Sequence, residues 1–560
     1  MSRNFIFVEK EPEEAEWISS SKGCIEEEYE QQPPESQREE IGEAEKEPTR
    51  EDISVPSFLP ALDKITPRRS VRAATNHNYR HLDNSNSRTK PVPRTFGNPA
   101  PALEPIDDGQ RANYAETAMS FITKEIEPGN IPRTLTEAKA SPEWPEWEKA
   151  IKAEMDILGE MGTWKLEDLP QGRETVGCKW VFDIKHDHEG KISKYKARLV
   201  AQGYSQIPGM DYFETFAPVV RHDSLRAMLA IAAIWDLEIR QLDIKGAYLN
   251  GDLQEEIYMR QPEGFNDRSG RICRLYKTLY GLKQSGREWN RKLNERLTEL
   301  GFSRNKVDHC VYVRERDEET AVITVWVDDL LVFTKTEEEG NELARDLKSE
   351  FEVNDMGEPK MIIGVEIKRD RESRSLTISQ KNYVQTVLKR FGLAKANSVA
   401  MPLDPNIILQ KPQENETIKT EDKLAEGYAT VVGAIGYAAM LTRPDIQEAY
   451  QILSKFTANP GVEHWTSAKR VLHYLNGTRD LGITYTATDD LDRIAITPVG
   501  YCDADYAGDI DDRKSVSGHT YLLGGGAISW NSKKQTTTAL SSTEAEYTAI
   551  SHATRQAIWL

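Results

Sequence analysis

Two adjacent aspartates, Asp328 and Asp329, interrupt an otherwise apolar run over residues 322–333. β-Branched and aromatic residues flank them on both sides, which suits strands, so the pair is expected at the tip of a tight hairpin between two half-buried strands. Two carboxylates at roughly 4 Å repel by about 4 kcal/mol even at an effective dielectric of 20. Partial burial adds a desolvation cost, so a fold that keeps both acids there usually gives them a cation. A solvent-exposed turn is the alternative, since Asp is a good turn residue. The long apolar walls count against it.

A second acid strengthens the metal reading. Asp243 stands at the end of another short strand-like run that begins at Leu237. That run follows a helix expected over residues 223–235, where Leu225, Met228, Leu229, Ala232 and Trp235 recur at helical spacing. The motifs Lys179-Trp-Val-Phe182, Tyr195-Lys-Ala-Arg198, Gly209-Met-Asp-Tyr-Phe213, Gln241-Leu-Asp243, Leu279-Tyr-Gly-Leu-Lys-Gln-Ser285 and Val327-Asp-Asp329 occur in this order. With them the chain resembles the reverse transcriptase of copia-type (pseudovirid) LTR retrotransposons over roughly residues 140–560. The resemblance implies an α+β fold: a right-hand polymerase of fingers, palm and thumb, followed by a partial ribonuclease H-like α/β domain. Its divisions are a tail over 1–135, fingers and palm over 136–395, thumb and connection over 396–492, and a shortened ribonuclease H region over 493–560.

At 560 residues the chain has room for three or four domains. No apolar run approaches the roughly 18–20 residues that span a bilayer, and acids rather than a signal-peptide core follow the first residues. The expectation is an intracellular protein with no membrane partner. The five cysteines form no Cys-x-x-Cys pair, so neither a disulfide framework nor a zinc site is indicated. A net charge of −19 runs against a nucleic-acid enzyme until it is located along the chain. Residues 1–52 hold 17 acids against 6 bases, whereas residues 64–94 carry 8 bases against one acid and residues 268–306 carry 11 against 3. Local excess of this kind suits phosphate contact. A solvated helix face remains the alternative for some of these bases.

The first 135 residues are rich in Glu, Pro, Ser, Gln and Asn and poor in apolar side chains, a composition of disorder. Their Pro67-Arg-Arg-Ser-Val-Arg72 motif is similar to the basic linker after integrase in copia-type polyproteins, with nuclear targeting and a merely solvated linker both open. Order is expected to begin near Pro142, with a helix carrying Met155, Ile157, Leu158 and Met161 before a turn at Trp164. A fingers hairpin is expected over residues 176–204, a long basic helix over 274–300, and one strand over 362–367. Mostly helical structure should fill 380–490. Strands separated by Gly-rich turns should follow, then a helix opened by the capping box Ser541-Ser-Thr-Glu544.

Template-directed DNA synthesis is an in-line displacement at phosphorus, and two divalent ions can clamp the attacking and leaving oxygens. The resemblance implies two Mg²⁺ ions held mainly by Asp243 and Asp328, with Asp329 completing the charge. It implies Tyr248 beneath the sugar, where a ring would exclude a ribose 2′-hydroxyl; an ordinary core tyrosine is the alternative. Lys196 and Arg198 would contact the triphosphate, and Gly281, Gln284 and Ser285 the template and nucleotide. Partners would be an RNA template, a DNA or tRNA primer and deoxynucleoside triphosphates, in the cytoplasm within a virus-like particle, with the oligomeric state open. Two positions depart from the family: Trp326 stands for the commoner Tyr and Gly286 for Pro. Asp503 and Glu546 match the first two metal-binding acids of ribonuclease H. A further Asp expected on a later strand would fall beyond Leu560, and the domain is therefore expected to be loose or to lean on the connection region. Two rival readings stay open: a degenerate copy that binds nucleic acid without catalysis, and an interaction protein whose acidic tail recruits partners.

Overall fold

The computed structural model describes residues 131–186, 192–316, 319–412, 423–487 and 497–560. The acidic and basic segments of the tail, the motif at residues 67–72 and the loop at 188–191 lie outside the described residues. Regular structure starts earlier than Pro142, with helix α1 (Leu135–Ala140), whose first turn is capped by the Thr134 hydroxyl accepting from Glu137 N. Helix α2 (Trp144–Glu160) buries Trp147, Ile151, Glu154 and Leu158. Ile157 is exposed and Met155 only half-buried, so the inward stripe begins at Trp147 and runs one position off the expected one. Trp164 opens strand β1 (Trp164–Glu167) where a turn was expected. Strands β2 (Cys178–His186) and β3 (Ile192–Ala201) form an antiparallel hairpin where one was expected. It packs on α2 through Trp147, which meets Phe182 and Tyr195 edge-on at 5.1 and 4.7 Å.

Helix α3 (His222–Ile234) buries Leu225, Met228, Leu229 and Ala232, while Trp235 caps it and is exposed. Strand β4 (Glu238–Ile244) leads through a 3-10 turn at Ala247–Asn250 to β5 (Asp252–Met259) and β6 (Ile272–Lys277). The basic helix is α4 (Ser285–Glu299), shorter than expected. Arg274 belongs to β6, and Gly281 at φ +89° turns the chain before the helix can start. Then come β7 (Ser303–Arg304), β8 (Val311–Arg316), β9 (Glu319–Trp326), β10 (Asp329–Thr334), helix α5 (Glu337–Lys348) and β11 (Val353–Gly357). They build a six-stranded sheet in the order β11-β4-β10-β9-β8-β7, so β4, distant in sequence, sits beside β10. Residues 321–326 and 330–334 are all buried, so these two strands are covered on both faces rather than half-buried.

The stretch expected as one strand at 362–367 is a hairpin, β12 (Met361–Ile362) and β13 (Val365–Asp370), because Ile363 and Gly364 take positive φ and reverse the chain. Strand β14 (Ser375–Ser379) and β15 (Gly482–Thr486) complete that four-stranded sheet around helices α6 (Lys381–Arg390), α7 (Lys423–Leu441), α8 (Gln447–Ser454) and α9 (Val462–Gly477). The C-terminal sheet is β16 (Val499–Asp505), β17 (Val516–Leu523) and β18 (Gly526–Lys534), covered by helix α10 (Ser542–Trp559). Only half of the expected capping box forms: Ser541 Oγ accepts from Glu544 N, but the Glu544 carboxylate accepts from Leu540 N.

This sheet packs against helices α7 and α3. Trp530 Nε1 donates to Ala439 O at 2.9 Å. The buried Arg226 of α3 donates to Ile528 O, Met440 O and Leu441 O, pairs with Asp223, and lies 3.9 Å above the Trp530 ring. Trp559 has the Arg221 guanidinium 4.8 Å from its ring. Among the described residues no helix is long and apolar enough to cross a membrane.

Candidate active site

Antiparallel pairing of β10 with β4 sets Asp329 opposite Asp243, and opposite residues on paired strands share a face. Strands β9 and β10 are joined by the two residues Val327 and Asp328, closing on the Trp326–Asp329 pair. Val327 takes φ +55°, a left-handed conformation that costs a β-branched residue about 1–2 kcal/mol. Two hydrogen bonds hold this turn: Trp289 Nε1 donates to Val327 O at 2.7 Å, and Ile244 N donates to Asp328 O at 2.9 Å. Burial raises the Asp328 pKa above the ordinary carboxylate value; the Asp243 charge raises it further, while the carboxyl's own backbone N–H, Arg198 and Lys196 oppose that rise. The polymerase acids expected to converge are thus two strands from separate parts of the chain.

A divalent cation fits Asp243 and Asp328 on this chemistry, since it would relieve both the burial and the mutual repulsion. Asp329 lies across the strand pair from Asp243. Gln241 Nε2 donates to its Oδ1 at 3.4 Å, and among the described residues no three His, Cys, Asp or Glu side chains form a group able to hold a metal ion. Asn354 Nδ2, at 3.4 Å from Asp243 Oδ2, steadies the other carboxylate from β11.

Lys196 and Arg198 lie two residues apart on β3, hence on one face, paired with Asp183 and Val181. Both reach Asp328 electrostatically, which brings the β3 bases and the acid of the β9–β10 turn into one site. Arg198 lies 5.3 Å from the Tyr280 ring, and its Nε is buried without a hydrogen-bond partner. Tyr248 meets the same Tyr280 edge-on at 5.6 Å, on the 3-10 turn just past Asp243. It is half-buried and keeps part of its surface open.

Gly281 allows the loop before α4 to touch β3, because a Cβ there would fall 2.2 Å from Ala201 O. Gln284 and Ser285 do not present themselves to a ligand. Gln284 is 0% exposed and donates to Asp211 O, while Ser285 Oγ donates to Leu279 O at 2.6 Å. Both tie the loop together from inside. The departures from the family are absorbed by packing. Trp326 is buried and stacked on His222, and a Cβ at Gly286 would meet Ala217 at 2.9 Å.

Part of the basic stretch at 268–306 is paired with acids from elsewhere. Arg274 pairs with Glu167 and Glu256, Lys277 with Asp252, Arg287 with Glu214, and Lys292 with Glu350. In the C-terminal sheet, Asp503 on β16 and Glu546 on α10 do come together: burial, the Asp503 charge and a hydrogen bond to Asp503 raise the Glu546 pKa. Sequence reasoning missed Trp289, Gln241 and Asn354 around the acids. It also missed Asp308, whose carboxylate accepts from Arg221 N and Ser224 Oγ and so caps α3.

Residues 161–405 match the family model described as reverse transcriptase (RNA-dependent DNA polymerase). The retrovirus-related Pol polyprotein from transposon TNT 1-94 of Nicotiana tabacum is 41% identical over 80% of this chain and 33% of its own length. That from transposon RE1 of Arabidopsis thaliana is 37% identical over 77% of this chain and 28% of its own length. The putative transposon Ty5-1 protein of Saccharomyces cerevisiae is 32% identical over 55% of this chain, which covers 97% of that shorter relative. The chain spans about a third of the length of the plant polyproteins it matches.

Proposed function

The chain belongs to the reverse transcriptase family of copia-type LTR retrotransposons, and on that premise we propose that it is an RNA-directed DNA polymerase. It would extend a DNA or tRNA primer along an RNA template with deoxynucleoside triphosphates. The observation that carries this reading is the placing of Asp329 opposite Asp243 at the end of buried strands, with Asp328 bonded to Ile244 beside them and Lys196 and Arg198 within electrostatic reach of Asp328. Magnesium, when bound by Asp243 and Asp328 with Asp329 adding charge, supplies neutralisation of the reacting phosphate and activation of the primer hydroxyl. Arg198 offers a fork of donors to a triphosphate and Lys196 a point charge. Tyr248 presents a ring where the sugar would lie, excluding a 2′-hydroxyl. Gln284 and Ser285 act at one remove, by holding the loop that supports β3. Asp503 and Glu546 would be two of the acids of a ribonuclease H site.

Primer extension on an RNA template with magnesium tests this reading. The expected result is template-dependent elongation by deoxynucleotides. Binding of the primer–template without elongation would instead favour a copy that has kept its surfaces and lost its chemistry.

A further inference from the structure

We propose that Trp289 is a positioning residue for Asp328, acting through the peptide bond between Val327 and Asp328. The inference rests on the polymerase reading for its purpose, though not for its geometry. The carbonyl of Val327 and the N–H of Asp328 belong to one planar unit, so fixing that carbonyl fixes the direction in which the chain enters Asp328. Trp289 Nε1 donates to this carbonyl at 2.7 Å. The following peptide is held from the other side, where Ile244 N, next to Asp243, donates to Asp328 O at 2.9 Å. Both peptides that flank Asp328 are therefore pinned, one from α4 and one from β4.

The pin has something to hold. Val327 has a positive φ and Asp328 does not, the sign pattern of a two-residue turn that favours glycine at its first position. A valine there resists that conformation. Trp289 itself cannot wander: it is 2% exposed and meets Phe351 edge-on at 5.3 Å. Its indole N–H, rather than its bulk, is the group that reaches the turn. A phenylalanine would fill most of the same space and leave Val327 O without this donor.

The test uses the full chain carrying Trp289→Phe, Val327→Gly and both together. Trp289→Phe is expected to lower kcat for extension about tenfold or more, with primer–template affinity changed less than about twofold, and to weaken Mn²⁺ binding in the primer–template complex, read by electron paramagnetic resonance. Adding Val327→Gly, which adopts the turn without strain, is expected to recover at least about threefold in kcat and most of the Mn²⁺ affinity. Unchanged kcat and Mn²⁺ binding in Trp289→Phe overturn the proposal. So does a loss that Val327→Gly fails to recover, which would make Trp289 a packing residue only. If the unaltered chain extends no primer, the functional reading fails, while the Mn²⁺ comparison across the three variants still decides the role of Trp289.

Discussion

Asp243 and Asp328 stand at the end of a sheet whose central strands are covered on both faces, whereas Asp503 and Glu546 meet between a three-stranded sheet and the helix laid on it. In both pairs one acid holds its proton more tightly than usual, and in both burial is the first cause and the partner's charge a further one. The surroundings differ. Lys196 and Arg198 oppose the shift at Asp328, while only the Ala504 backbone opposes it at Glu546. Asp503 is exposed and Glu546 only half-buried. Pairing acids is thus a modest requirement. Holding them at the end of buried strands, pinning the turn that carries one, and bringing bases to the same point take β4, the β9–β10 hairpin, α4 and β3 together.

The sharpest way to break this comparison is to remove one acid from each pair. Asp243→Asn and Asp328→Asn are each expected to reduce primer extension by about a thousandfold or more, since losing a metal ligand removes several kcal/mol of transition-state stabilisation and 1.36 kcal/mol is tenfold. Asp503→Asn and Glu546→Gln should leave extension within about twofold. Equal losses at both pairs, measured by single-nucleotide kinetics, would show that the two sites are not separable.

A smaller effect is expected at Tyr248, which belongs to the buried site and has no counterpart in the C-terminal one. Tyr248→Ala should shift the ratio of ribonucleotide to deoxynucleotide incorporation efficiency by about tenfold or more, because its ring would no longer meet the 2′-hydroxyl. That steric change is worth roughly 1.4 kcal/mol per tenfold. An unchanged ratio would make Tyr248 the packing partner of Tyr280 and nothing more.

The smallest effect concerns stability. The folded-state pKa of Asp328 is raised above 3.8, so the folded chain holds this proton more tightly than the unfolded one, and ionisation at neutral pH costs stability. That cost vanishes as pH falls through the raised value to below 3.8. Metal-free Asp328→Asn should therefore melt higher than the parent at pH 8, by about 2–4 °C for each kcal/mol relieved, with the gap closing on acidification. Glu546→Gln should show the same sign and a smaller gap, because water screens its half-exposed carboxylate. Melting curves of both variants across pH would read the contrast directly.

The acids were legible in the sequence because a carboxylate inside an apolar run is costly and stands out. The hairpin around them and the β4 strand were legible for the same reason, through their β-branched flanks. The bonds of Gln284 and Ser285 inside their loop were not legible, because a motif shows which residues recur together and not what they face. The acids paired with bases of residues 268–306, among them Glu167, Glu214 and Glu350, were not legible either, because they lie outside the stretch. Ile362 to Ile367 looks like one strand by composition, yet Gly364 already offered the break that the structure uses. Trp289 gave no signal at all: a tryptophan on an amphipathic helix reads as core, and its bond to a carbonyl 38 residues away depends on how helix and hairpin dock.

Arg226 carries a consequence for how such a chain can be exchanged or divided. Its guanidinium spans helix α3, the carbonyl end of α7 and the strand β18, with Ile528 O as the acceptor furthest along the sequence. An exchange of the C-terminal sheet must keep β18 in the position that holds this backbone carbonyl at the guanidinium. Otherwise a buried cation is left one acceptor short, which typically costs about 1–3 kcal/mol or more. Helix α3 and the C-terminal sheet thus share a seam that runs through one arginine.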